Sequence, residues 1–188
     1  MTTTMTEAST SADTLLRLAT PADIPALEAL IVASVRGLGA GYYTPDEIES
    51  GLRYVFGVDS QLIADGTYFV IDGPSGPVAC GGWSKRKTLF GGDQRKSGLD
   101  SVLDPKESPA RIRAFFVDPA WARRGLASRL LDACATAART AEFRALELAA
   151  TLPGVPFYTA LGFIAHERTD VPLPDGTHHP IVRMTRLI

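Results

Sequence analysis

The sequence predicts a single α+β domain, a mixed and mostly antiparallel sheet covered by helices. Three observations carry that reading. At 188 residues the chain is long enough to bury one substantial core. Its apolar content of 45% and charged content of 21% are those of an ordinary globular protein. Runs with the two-residue period of strands alternate with runs of helical period. Their order is strand, two helices, several antiparallel strands, then strand, helix, strand, helix and two closing strands.

Each element has a local cause. Residues 1–13 are mostly Thr, Ser and Ala without apolar periodicity, so ordering them would bury little surface against the entropy lost. They read as a flexible tail ahead of a domain over residues 14–188. Leu15, Leu16 and Leu18 mark a first strand. Thr20 and Pro21 then supply a cap and an early-turn proline before Ile24, Leu27, Leu30 and Ile31, which predicts a helix over residues 21–35 ended by the glycines between 37 and 41. Thr44-Pro45-Asp46-Glu47 repeats the start signal for a second helix carrying Ile48, Leu52, Val55 and Phe56. Residues 67–71 and 78–83 are strand-like runs around a Gly- and Pro-containing turn, the pattern of an antiparallel hairpin. A polar stretch over residues 85–109 is longer than most loops inside compact domains and reads as a functional, mobile or solvated segment. Strand character returns at residues 111–117. Leu126, Leu130, Leu131 and Cys134 recur at helical spacing, Leu146, Leu148 and Ala150 alternate, and a short helix is predicted over residues 156–161 with Gly162 at its end. The last hairpin runs from Val171 through Asp175-Gly176 into residues 181–186.

Composition also narrows the partners. A net charge of -2 gives no general attraction to nucleic acid or to anionic membrane, so an anion site must come from local placement. Lys85, Arg86, Lys87, Arg95 and Lys96 cluster, but Asp93, Asp100, Asp104 and Glu107 balance much of that charge. No apolar run approaches membrane-spanning length and the start of the chain lacks signal-peptide character, which reads as a soluble, cytoplasmic protein without a membrane partner. Cys80 and Cys134 read as buried thiols, not as a disulfide or zinc framework. His178 and His179, as strand neighbours, point to opposite faces with no third ligand nearby, so no metal is expected.

The most informative stretch runs from Val117 to Ala127. It closes a strand, turns through Pro119, crosses Arg123, Arg124 and Gly125, and opens an amphipathic helix. Such a connection brings unpaired N–H groups, the positive end of a helix and cationic side chains to one point, which suits a pyrophosphate.

Together with Phe157-Tyr158-Thr159-Ala160-Leu161-Gly162-Phe163 about thirty residues downstream, this segment resembles the GNAT acyl-coenzyme A N-acyltransferases. Val117, Pro119, Gly125 and Ala127 match the family's cofactor loop, while Ala122 stands where a Gln or Arg is usual. The resemblance implies a GNAT-like fold and transfer of an acetyl group from acetyl-CoA to a primary amine of a small molecule or peptide, without a metal. It implies cofactor contacts from the main chain of Phe116 and Val117 and from Arg123, Arg124, Gly125, Leu126, Ala127 and Ser128. It makes Tyr158 the general acid that protonates the departing thiolate. No Asn precedes the second motif, since Pro153 occupies that approach, and no cofactor role is carried to it. Relatives often form a homodimer, although nothing in this sequence identifies an interface. The other reading is a non-catalytic acyl-CoA-binding or sensing module.

The acceptor side is less legible. The strand before the loop contains no carboxylate, and Glu147, Asp93, Glu49 and Asp46 are the acidic candidates for a base. Strict alternation puts Arg111, Arg113 and Phe115 on one face and Ile112, Ala114 and Phe116 on the other, with solvated arginines. Tyr42, Tyr43 and Trp83 are the candidate acceptor contacts.

Overall fold

The computed structural model describes residues 14–98 and 100–188, and the expected tail over residues 1–13 lies outside them. One sheet holds seven strands: β1 (Leu15–Leu18), β2 (Tyr68–Gly73), β3 (Gly76–Ser84), β4 (Ala110–Val117), β5 (Ala145–Thr151), β6 (Ile164–Pro172) and β7 (His178–Leu187). Their spatial order is β1-β2-β3-β4-β5-β7-β6. Only β4 and β5 run parallel to each other. Among the described residues five α-helices accompany them: α1 (Ile24–Gly39), α2 (Pro45–Tyr54), α3 (Ser60–Ala64), α4 (Leu126–Thr140) and α5 (Gly154–Ala160).

The two faces of the sheet carry separate cores, as alternation along β2 and β3 requires. Val70 and Cys80 pack with Leu27, Leu30 and Ile31 of α1 and Leu62 of α3. Ile71 and Ala79 point the other way, onto Leu126 and Leu130 of α4. Farther along α4, Leu131, Cys134 and Ala138 meet Ile112, Leu146 and Met184.

Two expectations are corrected, and one helix is added. Helix α1 continues through Gly37 to Gly39 before ending. A Cβ at Gly37 would lie 2.3 Å from Cγ of Pro119, so the glycine lets the helix touch the loop after β4. The added helix α3 carries only Leu62 and Ile63 as buried residues, too few to show a period. Helix α5 starts at Gly154 and places Pro156 in its first turn, where a missing N–H breaks no helical hydrogen bond.

The feature that positions the site is a β-bulge. Cys80 faces Phe116 and Gly82 faces Arg113, so Ala114 and Phe115 together oppose Gly81. Ala114 adopts a left-handed φ of 54°, and its carbonyl oxygen lies 3.1 Å from the Tyr68 hydroxyl, which donates to it. The bulge shifts the phase of the strand. Ile112 and Phe115 pack toward α4, while Ala114 and Phe116 pack toward α1, in place of the strict alternation expected from the sequence. Past Ala110–Leu146 and Arg111–Glu147, β4 and β5 have no further pairs.

Candidate active site

Two cavities open between the diverging ends of β4 and β5. The larger, about 210 Å³, is walled by Ser34 and Leu38 of α1, Val117, Ala127 and Phe157. The other, about 100 Å³, is walled by Phe90, Gly91, Arg113, Ala149, His179 and Ile181. Phe56, Phe115, Phe116, Thr151 and Tyr158 line both, so the cavities meet at a shared wall.

Tyr158 stands at that junction. The Schellman-like end of α5, with Phe163 N–H bonded to Tyr158 O at 3.0 Å, fixes its backbone. Phe157, Phe163 and Phe115 hold the ring edge-on at centroid distances of 4.9, 5.4 and 6.4 Å. Burial raises the phenol pKa above its ordinary value, so the group carries its proton at neutral pH.

The loop after β4 leads from the larger cavity to the N-terminus of α4. Asp118 accepts the Ala120 N–H at 2.8 Å and starts a single 3-10 turn over Pro119–Trp121. Arg123 and Gly125 both take left-handed φ values, 64° and 78°. Gly125 is the N-cap of α4, without a side-chain cap, and a Cβ there would meet no atom within 4 Å. The first amides of α4 are therefore uncapped beside open space, the arrangement that receives anions. The two arginines are not equivalent. Arg124 lies 4.7 Å over the Trp121 ring and donates to Ala120 O at 3.1 Å. Arg123 is exposed and has no ion-pair partner among the described residues. Leu126 faces the core. Ser128 sits half-buried in the first turn of α4.

Other predicted residues fall differently. Phe116, Val117, Ala127, Tyr43 and Tyr158 come together at the larger cavity. The Val117 N–H donates to Ser34 Oγ at 3.1 Å. Tyr43 accepts the Leu152 N–H at 2.8 Å, and burial pushes its phenol up to about 12. Tyr42 is exposed, and Trp83 is buried against Phe143, its ring centroid 6.0 Å away, outside both cavity linings.

No acidic candidate faces either cavity. Glu147 accepts from Arg111 and from Arg183, the latter at 2.9 Å, so Arg111 is paired and not solvated. Glu49 pairs with Arg36, Asp93 accepts the Ser60 N–H, and Asp46 is exposed in the first turn of α2. Arg113 is buried, 2.9 Å from Asp59, and also donates to Gly91 O. Asp59 receives Lys96 as well. These contacts, with Arg86 on Asp65, hold the segment expected to be solvated against the fold, where Phe90 and Gly91 become cavity wall.

Ser34, Phe56 and His179 were not legible as site residues. Ser34 looks like any helical serine, and only the α1–β4 contact reveals it. His179 is buried between Tyr43 and Phe56, at ring distances of 5.0 and 4.9 Å. Burial lowers its pKa to about 4. Both thiols lie in the core, and burial raises both, Cys80 to about 12. Among the described residues no group of three or more His, Cys, Asp or Glu side chains is placed to hold a metal ion. None of the described helices is long and apolar enough to cross a membrane.

Residues 97–173, which include β4, the loop, α4 and α5, match the family model described as acetyltransferase (GNAT) domain. No curated protein sequence matches the chain. Among solved structures it is similar to a GCN5-related N-acetyltransferase from Rhodopseudomonas palustris, with a TM-score of 0.67 at 19% identity over 94% of this chain and 97% of that one. An N-acetyltransferase from Thermoplasma acidophilum in complex with coenzyme A gives a TM-score of 0.63 at 14% identity, covering 93% and 99%. The structure of yncA from Salmonella typhimurium with its cofactor acetyl-CoA gives 0.60 at 14%, covering 93% and 94%. The match over the loop and both motif segments makes residues 97–173 similar to a GNAT acetyltransferase domain, and the fold as a whole is shared with these solved N-acetyltransferase structures.

Proposed function

We propose that the protein moves an acetyl group from acetyl-CoA to a primary amine by direct attack on the thioester, with Tyr158 protonating the departing sulfur. The observation that carries this reading is the pair of cavities meeting at Tyr158, one reaching the uncapped start of α4 and the other ending against the segment over residues 85–109. Two structural neighbours solved with coenzyme A or acetyl-CoA support the donor.

In this scheme the pyrophosphate meets the amides of Leu126, Ala127 and Ser128. Arg123 supplies the mobile guanidinium, while Arg124 braces the loop through Trp121. The pantetheine arm follows Phe116 and Val117 into the larger cavity. Ser34, having accepted the Val117 N–H, keeps its own O–H to donate to the thioester oxygen. As the C–N bond forms and the C–S bond breaks, the buried phenol of Tyr158 gives its proton to sulfur and recovers one from the amine nitrogen. Burial that raises the phenol also disfavours a free thiolate, so the transfer keeps its direction. The two cysteines are held as neutral thiols inside the core, which supports direct attack over an acetyl-cysteine intermediate.

The test pairs calorimetry with acetyl-CoA and a thiol-release assay over an amine panel. Binding with turnover on at least one amine is expected, whereas binding with none supports a sensing module. The Tyr158→Phe variant should lose on the order of 100-fold in kcat while binding acetyl-CoA as the parent does. Unchanged turnover would remove Tyr158 from the mechanism.

A further inference from the structure

The smaller cavity contains a polar group that nothing in the fold uses. His179 is 1% exposed, and neither ring nitrogen has a hydrogen-bond partner among the described residues. Leaving such a group unpaired costs about 1–3 kcal/mol, which a purely structural position would avoid with an apolar residue. The ring is seated by Tyr43 and Phe56, and His179 lines the cavity together with Arg113.

The same cavity offers nothing to a cation. Among the described residues lining the two cavities there is no carboxylate, and the only charged side chain is Arg113, already paired with Asp59. An ammonium entering this space would give up its hydration without gaining an anionic partner. An uncharged amine avoids that cost, and its N–H needs an acceptor. A neutral imidazole offers one lone pair and one N–H.

We propose that His179 is the acceptor contact of this site, taking a hydrogen bond from an amine that enters uncharged, so that weakly basic amines such as α-amino groups are the preferred substrate class. The inference rests on the acetyl-transfer reading above. A primary amine carries two N–H groups. The one bound to His179 remains as the amide N–H of the product, and the other proton ends on the coenzyme A sulfur, so the step balances without a further reactant.

Amine basicity then decides the acceptor. With ordinary pKa values of about 7.8 for an α-amino group and 10.4 for a lysine, the uncharged fraction at pH 7 differs by roughly 300-fold. Burial keeps His179 itself neutral through the assay range. The charged groups acting on it are Glu47 from α2, which favours protonation, and Arg95 from the segment over residues 85–109, which opposes it.

The experiment compares kcat/KM against pH for a lysine-free dipeptide amide and for N-acetyl-lysine amide. Between about pH 6 and 9 the dipeptide curve should rise with unit slope and bend near 8, while the lysine curve climbs throughout. A bend at one common pH for both acceptors, or a preference for the lysine compound at pH 7, would overturn the proposal. His179→Leu should raise KM for the dipeptide about tenfold or more. It should leave calorimetric acetyl-CoA binding unchanged and keep or raise the melting temperature. His179→Gln, which restores a hydrogen-bond acceptor, should recover part of the KM. A Leu variant that melts lower with KM unchanged makes the histidine structural and the proposal wrong. If the Leu variant does not fold, the wild-type profiles and the Gln variant decide alone. Absence of turnover on every amine would instead defeat the acetyl-transfer reading, and this inference with it.

Discussion

Gly37 shows how one residue sets the distance between a helix and the proposed cofactor loop. With its Cβ position 2.3 Å from Pro119 Cγ, even alanine forces either α1 or the loop to move. Overpacking of this kind costs about 1–3 kcal/mol. Because Pro119 lies in the loop that leads to Arg123 and Gly125, the displacement is passed to the start of α4. The Gly37→Ala variant should therefore weaken acetyl-CoA binding by calorimetry as well as lower the melting temperature, whereas a loss of stability with unchanged binding would separate the helix contact from the loop. From sequence, Gly37 looks like a helix breaker. Its reason for being glycine lies 82 residues away in the chain. By contrast, the left-handed turn at Gly125 is a local requirement, and the string around it shows that directly.

At the scale of elements, what was legible depended on whether the cause was local. Caps at Thr44, turns at Gly76 and the period of α4 are written in neighbouring residues, and the structure has them. The bulge in β4 is not. It depends on Tyr68 reaching the Ala114 carbonyl and on Gly81 leaving room for the Phe115 ring, whose Cδ2 would lie 2.5 Å from a Cβ there. Strict alternation therefore grouped Ile112 with Phe116 and separated it from Phe115, the reverse of what the structure has. The solvated reading of the segment over residues 85–109 fails for a similar reason: its charges meet partners distant in sequence, chiefly Asp59 and Asp65. Asp59→Ala would leave the buried Arg113 and the half-buried Lys96 without their anion, a change costing about 3–5 kcal/mol. At about 2–4 °C per kcal/mol for a domain of this size, the melting temperature should fall by roughly 10 °C. Hydrogen exchange should quicken first at residues 88–96. Protection that stays unchanged there would mean that backbone bonds such as Gly92 N–H to Val55 O, at 2.9 Å, hold the segment without the ion pairs.

The molecule as a whole should register the buried histidine in its response to acid. Above about pH 6.5 the ring of His179 is neutral in both folded and unfolded chains, so it adds no pH dependence. Below that, the unfolded chain takes up a proton that the folded chain refuses until about pH 4, because burial disfavours the cation. The unfolded state then binds more protons, and stability falls with falling pH by up to about 1.4 kcal/mol per unit across that window. Carboxylates act in a lower window. Asp23, held down by hydrogen bonds from Arg17, Asp65, held by Arg86, and Glu47, held by the Thr44 amide, support the fold until acid protonates them in the native state. The two windows separate in a denaturation series from pH 8 to about pH 4, where the wild-type curve should bend near 6.5. The His179→Leu variant should stay flat until the carboxylates begin to titrate. Equal slopes for both proteins between about pH 6.5 and 5 would mean that the ring gains a proton, or a partner for it, in the folded chain. The same result would weaken the case for an uncharged contact in the smaller cavity.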